Sequence, residues 1–260
     1  MVAVASPASW PSEECVESCL SLVDPWGFQP RLGTHAREQL GYLAGRDEDR
    51  LADLNEAIRD PEVRAIVTTR GGCGSSRLLR GVDVEALAAD PKPLVGYSDI
   101  TALHRVWHTT GVPSLHGAAA GRHAPILDLV LRGGTPPAVM HDPAQYGSDL
   151  AELDLDGHVL LLEINKAAGL GNVDRALTQL LMSGALDGVV GVAVGWLTGF
   201  EDYQDRGWSI LDLLGERLGT LGVPVLAGLP FGHDPDPMVA PLGCRAPWTP
   251  MPGHSLSSRR

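Results

Sequence analysis

Short apolar, β-branched runs that stop abruptly at glycine, proline or serine recur along this chain, separated by stretches with helical periodicity. Val63–Thr69 is the clearest: it runs straight into Arg70-Gly71-Gly72-Cys73-Gly74-Ser75. Met1–Ala5, Pro93–Tyr97 and Val112–Leu115 repeat the pattern in the first half. His158–Leu162, Val189–Trp196 and Val223–Leu229 repeat it in the second. Between them, helices are expected from the acidic first turn Asp47-Glu48-Asp49, with Leu51, Leu54, Ala57 and Ile58 on one face and Pro61 as the stop. Further helices are expected over Asp99 to about Thr109, Val173–Met182 and Ile210–Leu218, with a helix or turn through Leu78-Leu79. Fully apolar strands alternating with helices predict an α/β fold with parallel sheets. The weak, polar stretch over 133–156 divides the chain into an N-terminal lobe (1–132) and a smaller C-terminal α/β lobe (157–245), with a tail at 246–260.

Composition removes several function classes. The chain has 260 residues, 32 acidic against 20 basic, and a net charge of −12; its only lysines are Lys92 and Lys166. An acidic field of this kind repels a phosphate backbone, so no nucleic-acid partner is expected. No apolar stretch approaches the roughly 18 residues of a membrane span, and the first residues lack a basic segment followed by an apolar core, so a soluble intracellular protein without a membrane partner is expected. Cys15 and Cys19 stand at Cys-x3-Cys spacing, but Cys73 and Cys244 form no second close pair. Free thiols fit better than zinc or a disulfide framework.

Four places on the expected carboxyl edges of the strands can carry chemistry. In Gly96-Tyr97-Ser98-Asp99-Ile100-Thr101, a serine stands between a buried strand and a helix start. It either caps the helix or projects as an elbow-type nucleophile, with the Asp99 N–H near the oxyanion. Arg70-Gly71-Gly72-Cys73-Gly74 emerges on the same edge. It is a tight turn, or an oxyanion loop with Arg70 on a substrate carboxylate, or a seat for Cys73 as nucleophile; the absent Gly-Lys-Ser/Thr rules out a P-loop. Glu163 closes an apolar run, where a carboxylate is costly unless exposed or paired. His233 follows a strand on a Gly- and Pro-braced loop. His104 and His108, at i and i+4, have a metal-like spacing without the Glu of His-Glu-x-x-His, so packed or solvent-facing roles fit better.

These blocks, in this order, resemble the serine LD-carboxypeptidases, a family that includes the microcin C immunity hydrolases. The resemblance runs from Ala44-Gly45-Arg46-Asp47-Glu48-Asp49-Arg50, with Asp53-Leu54-Asn55, through Ala65-Ile66, Arg70-Gly71-Gly72 and Gly96-Tyr97-Ser98-Asp99-Ile100-Thr101. It continues through Leu161-Leu162-Glu163, Asp174-Arg175-Ala176-Leu177-Thr178-Gln179-Leu180 and Phe231-Gly232-His233 to Pro241-Leu242-Gly243. It implies a flavodoxin-like N-terminal lobe, a site in the cleft between the lobes, and a Ser-Glu-His triad. Ser98 would be nucleophile, His233 base and Glu163 its orienter, with the N–H groups of Asp99, Gly71 and Gly72 as oxyanion hole. No metal or organic cofactor is implied. The implied substrate is a small peptide, a murein tetrapeptide cut before its terminal D-alanine, in a cytoplasmic homodimer. An aminoacyl-nucleotide or other peptide-like antibiotic is the alternative, with Trp196, Tyr203 and Trp208 as candidates for stacking on a base; a binding protein without turnover is a third. The chain departs from the family at Cys73, usually Tyr, at Ile164-Asn165, where an acidic residue is usual, and in the stretch after Gly133-Gly134-Thr135-Pro136.

Overall fold

The structure, a computed structural model, describes residues 1–22, 27–117, 155–164, 169–233 and 237–243. The elements in chain order begin β1 (Val2–Ala5), α1 (Glu13–Ser21), β2 (Pro30–Leu32), α2 (Asp47–Arg59), β3 (Ala65–Thr68), α3 (Val84–Ala89), β4 (Leu94–Gly96), α4 (Thr101–Thr109) and β5 (Ser114–His116). They continue with β6 (Val159–Leu162), α5 (Leu170–Met182), β7 (Gly191–Val194), β8 (Gln204–Asp205), β9 (Trp208–Ser209), α6 (Ile210–Gly219), β10 (Val225–Ala227) and β11 (Ala240–Leu242). Tight 3-10 turns occupy Ser75–Gly81, where a helix or turn was expected, and Ser98–Ile100, at the expected start of α4.

The chain divides into two compact units, Met1–Ala138 with Met238–Arg245, and Val139–Pro237 with Ala246–Arg260. In the first, the strand order is β11-β5-β4-β3-β1-β2, parallel except for the β11 edge. That is the flavodoxin-like order 2-1-3-4-5 with one antiparallel strand added. Side-chain alternation buries both faces of the sheet. Ala3, Ile66 and Leu94 pack with Leu54, Ile58, Leu103 and Trp107, while Val2, Val67, Val95 and Leu115 pack with Leu22 and Phe28. Two-sided burial is why these strands read as unbroken apolar runs.

The segment 240–242, near the end of the expected C-terminal lobe at 157–245, pairs with a strand of the first sheet. Ala240, Pro241 and Leu242 pair with His116, Leu115 and Ser114, so this segment returns to the first sheet. Pro241 has no amide hydrogen and suits an edge strand, a signal that only long-range pairing makes visible. Of the expected connector only Leu155 and Asp156 are described, and the tail and Cys244 lie outside the described residues. The second unit carries a parallel sheet in the order β10-β7-β6. Val173, Leu177 and Leu180 of α5 and Leu213 and Leu214 of α6 are buried.

Candidate active site

Ser98 follows β4 by one residue and has φ of 59°, one of two non-glycine residues with positive φ among those described. A side chain in the left-handed region is strained, so the surrounding structure must hold it there. Several contacts do so. The Ser98 carbonyl accepts from Thr101 Oγ1 at 2.6 Å. The buried Asp99 accepts from the Ser75 N–H at 2.8 Å through Oδ2, and its carbonyl accepts from Ser75 Oγ. The N-cap positions of the 3-10 turn and of α4 are Tyr97 and Ile100.

The glycine loop after β3 lies against this turn. A Cβ on Gly71 would fall 2.8 Å from Ser98 Cβ, 2.8 Å from the Tyr97 carbonyl oxygen and 3.1 Å from the Asp99 nitrogen. Only a residue without a side chain brings backbone so close to the serine. Gly72, at φ of 115°, packs on Ser9, whose Oγ accepts from the Cys73 N–H at 3.1 Å. The loops after β1 and β3 thus meet where the strand order reverses, the usual ligand crevice of such sheets. Arg70 is exposed and reaches the Trp10 carbonyl at 3.5 Å. Cys73 is exposed and its backbone has no left-handed strain. Cys15 and Cys19 both point at the Thr69 carbonyl, at 3.0 and 3.7 Å, and burial pushes the Cys19 thiol up to about 12.

Beneath the elbow, His104 is fully buried with Nε2 2.9 Å from the Gly96 carbonyl. Burial lowers its pKa to about 4, so it is neutral at ordinary pH and donates from Nε2. It is a packed histidine that supports the strand end.

In the second unit, Glu163 follows β6 directly and is 2% exposed. Its Oε1 accepts from the His233 backbone N–H at 3.1 Å and lies 2.5 Å from His233 Nδ1. The carboxylate thereby assigns the ring proton to Nδ1 and the lone pair to Nε2. Thr198 Oγ1 donates to the His233 carbonyl at 3.1 Å. Gly232, at φ of 108°, makes the approach possible, since a Cβ there would meet Glu163 Cγ at 2.1 Å. The costly strand-end carboxylate is thus paired, as burial requires.

Residues 2–117 match the LD-carboxypeptidase N-terminal domain and residues 141–247 match the LD-carboxypeptidase C-terminal domain. The chain belongs to the LD-carboxypeptidase family. Among its relatives, a putative carboxypeptidase of Streptomyces coelicolor is 36% identical over 94% of this chain and 89% of its own. A probable murein peptide carboxypeptidase of Bacillus subtilis is 30% identical over 94% of this chain and 87% of its own. The crystal structure of muramoyltetrapeptide carboxypeptidase from Oxalobacter formigenes shares the fold, with a TM-score of 0.78 at 23% identity over 93% of this chain and 92% of that one.

Within this LD-carboxypeptidase, each unit assembles its own part of the expected site. Ser98, Asp99, Gly71 and Gly72 come together in the first, with Arg70 in the same loop; Glu163 and His233 come together in the second. Sequence reasoning missed Ser75, which holds Asp99, and Thr198, which holds the His233 backbone. Both act across separations that leave no periodic signal. Among the described residues no helix is long and apolar enough to cross a membrane.

Proposed function

We propose that this protein is a serine LD-carboxypeptidase that releases the terminal D-alanine of a murein tetrapeptide, using Ser98, His233 and Glu163. The observation that carries the reading is the strained Ser98 at the end of β4, at φ of 59°, with the Gly71 backbone against it. Strain of this kind persists where it positions a reacting group. Cys73, the rival nucleophile, has no such geometry.

In this reading His233 Nε2 takes the Ser98 Oγ proton as the oxygen attacks the amide carbonyl. The N–H groups of Asp99, Gly71 and Gly72 hold the oxyanion of the tetrahedral intermediate. The imidazolium then protonates the leaving D-alanine nitrogen, and Glu163 stabilises its charge through Nδ1. Water enters in place of the amine, and His233 takes a proton from it as its oxygen attacks the acyl-enzyme. The imidazolium returns that proton to Ser98 Oγ as the C–O bond to the serine breaks and the peptide carboxylate is released. Arg70, exposed beside the glycine loop, offers its guanidinium to the substrate's terminal carboxylate. The family resemblance also carries a cytoplasmic location and a homodimer, which fractionation and sedimentation check.

The deciding experiment measures D-alanine release from a muropeptide tetrapeptide by the wild type, Ser98→Ala and Cys73→Ala, with an aminoacyl-sulfamoyl adenosine as the second substrate. Ser98→Ala is expected to lower turnover by about 10⁴-fold or more, and Cys73→Ala to leave it within a few-fold. Release that survives Ser98→Ala and disappears in Cys73→Ala overturns the serine mechanism. Turnover of the sulfamoyl adenosine alone overturns the substrate assignment.

A further inference from the structure

The loop Arg70-Gly71-Gly72-Cys73 carries two glycines, so what fixes its shape lies outside it. Its start is held after β3. There the Thr69 N–H donates to the Ala5 carbonyl at 2.9 Å, and the Thr69 and Ser6 hydroxyls meet at 2.8 Å. Its end is held by Arg50 of α2. Nη1 of that guanidinium donates to the Gly74 carbonyl at 3.2 Å and to the Pro7 carbonyl, and Nη2 donates to Asp47 Oδ1 at 2.5 Å. Pro7 belongs to the loop after β1 and Gly74 to the loop after β3. One side chain thus ties together the two loops that meet at the crevice.

Stability alone does not account for Arg50. It is 2% exposed, and its Nε is buried with no hydrogen-bond partner among the described residues. A buried charge with an idle donor destabilises, and an apolar side chain of the same volume often serves as well or better. What an apolar side chain does not supply is direction. The guanidinium is planar and rigid, so the acceptors on it are held at fixed angles. Gly74, at φ of 113°, lets it come close, since a Cβ there would lie 3.2 Å from Arg50 Nη1. The neighbouring N–H groups are in use: that of Cys73 goes to Ser9 Oγ at 3.1 Å and that of Ser75 to Asp99 Oδ2 at 2.8 Å. Among the described residues, no hydrogen bond uses the N–H groups of Gly71 and Gly72, which leaves them as the donors this loop can offer.

We propose that Arg50 is a positioning residue for the reaction, an inference that rests on the serine-hydrolase reading above. It acts through the loop. By fixing the Gly74 and Pro7 carbonyls it sets the direction of the Gly71 and Gly72 N–H groups beside Ser98, and donors aimed in advance are worth most to an oxyanion. Asp47 holds the guanidinium in turn. The same carboxylate accepts from Arg77 Nε at 2.8 Å, so α2 and the 3-10 turn after the loop are joined at one residue.

The test uses the full chain with Arg50→Met, which fills the same space, Arg50→Lys, and Asp47→Asn, whose side chain is 36% exposed and tolerates change. Melting temperatures identify the folded variants. Turnover is measured on a muropeptide tetrapeptide. The rate of Ser98 labelling by a fluorophosphonate is measured beside it, because the phosphoryl oxygen takes the place of the oxyanion. Arg50→Met is expected to lower kcat about 10²-fold, the effect of losing one oxyanion donor, with KM within about threefold of the wild type. The labelling rate should fall in proportion. Arg50→Lys should restore no more than about tenfold of that loss, since an ammonium does not hold three acceptors at fixed angles. Asp47→Asn should lower kcat about fivefold with KM unchanged, and it decides the matter if neither Arg50 variant folds. Folded variants that keep kcat and labelling within about twofold of the wild type, or that change KM in place of kcat, overturn the proposal. Wild-type labelling at Ser98 without murein cleavage overturns the substrate alone, and the labelling rates still decide the role of Arg50. A wild type that neither labels at Ser98 nor cleaves overturns the serine reading and Arg50 with it.

Discussion

Ser98 and His233 each follow a parallel strand, yet the two units hold them by different means. On the serine side the geometry is backbone. Ser98 is locked at φ of 59°, Gly71 presses against it, and Ser75 binds both ends of Asp99. On the histidine side one oxygen does most of the holding: Glu163 Oε1 meets both the backbone N–H and Nδ1 of His233. In the proposed mechanism the serine side is an oxyanion hole, which must be rigid before the reaction because its donors are worth most when they need not reorganise. The proposed general base must exchange a proton, so a contact that orients the ring and survives both charge states suits it. The contrast teaches that side-chain deletion breaks one half of the site and side-chain addition breaks the other.

Beyond Ser98→Ala itself, the largest effect is expected on the histidine side. Glu163→Gln keeps size and shape but lets an amide NH₂ face Nδ1. The proton then moves to Nε2, which can no longer accept from Ser98. The expected loss in kcat is about 10⁴-fold with little change in melting temperature, measured by D-alanine release and calorimetry. Retention of more than a tenth of the activity would mean that Glu163 does not set the tautomer. Gly71→Ala is the matching test on the serine side. Its methyl would lie 2.8 Å from Ser98 Cβ and 3.1 Å from the Asp99 nitrogen, so the oxyanion donors must shift. A loss of about 10²- to 10³-fold in kcat is expected, the range for removing one oxyanion donor. If Gly71→Ala instead raised KM alone, the loop would bind substrate and leave the oxyanion to other groups.

The same contrast explains what the sequence revealed. Gly71, Gly72 and Gly96 are legible because a close backbone approach leaves a glycine in one particular place, and β1, β3 and β4 are legible because burial on both faces demands apolar runs. Ser98 could be located from its strand-to-helix setting, though its positive φ could not be read from the sequence. Contacts between distant segments left no local mark. Ser75 reads as an ordinary loop serine until it is seen on Asp99, and Thr198 until it is seen on the His233 carbonyl. The pairing of β11 with β5 left no local mark, because its three residues carry no periodicity of their own.

The smallest effect concerns a second histidine, and it separates structural from catalytic protonation. His104 supports the elbow from below, fully buried, with its pKa lowered to about 4 by burial. The unfolded chain would take up that proton near pH 6.5. Above that value both states are neutral and His104 imposes no pH dependence. As pH falls from about 6.5 towards 4, the unfolded state binds a proton that the folded state refuses, and stability is lost progressively. The full loss is roughly 3 kcal/mol. His104→Gln keeps a donor for the Gly96 carbonyl and removes the titration. Urea midpoints of wild type and variant between pH 7 and 4 are therefore expected to diverge, the wild type falling faster. Parallel curves would mean that His104 is protonated in the folded protein, and the elbow would then rest on a charged group that the buried site gives no counter-ion among the described residues. A divergence would mark His104 as a histidine that stays neutral in the folded protein while its ring supports the Gly96 carbonyl.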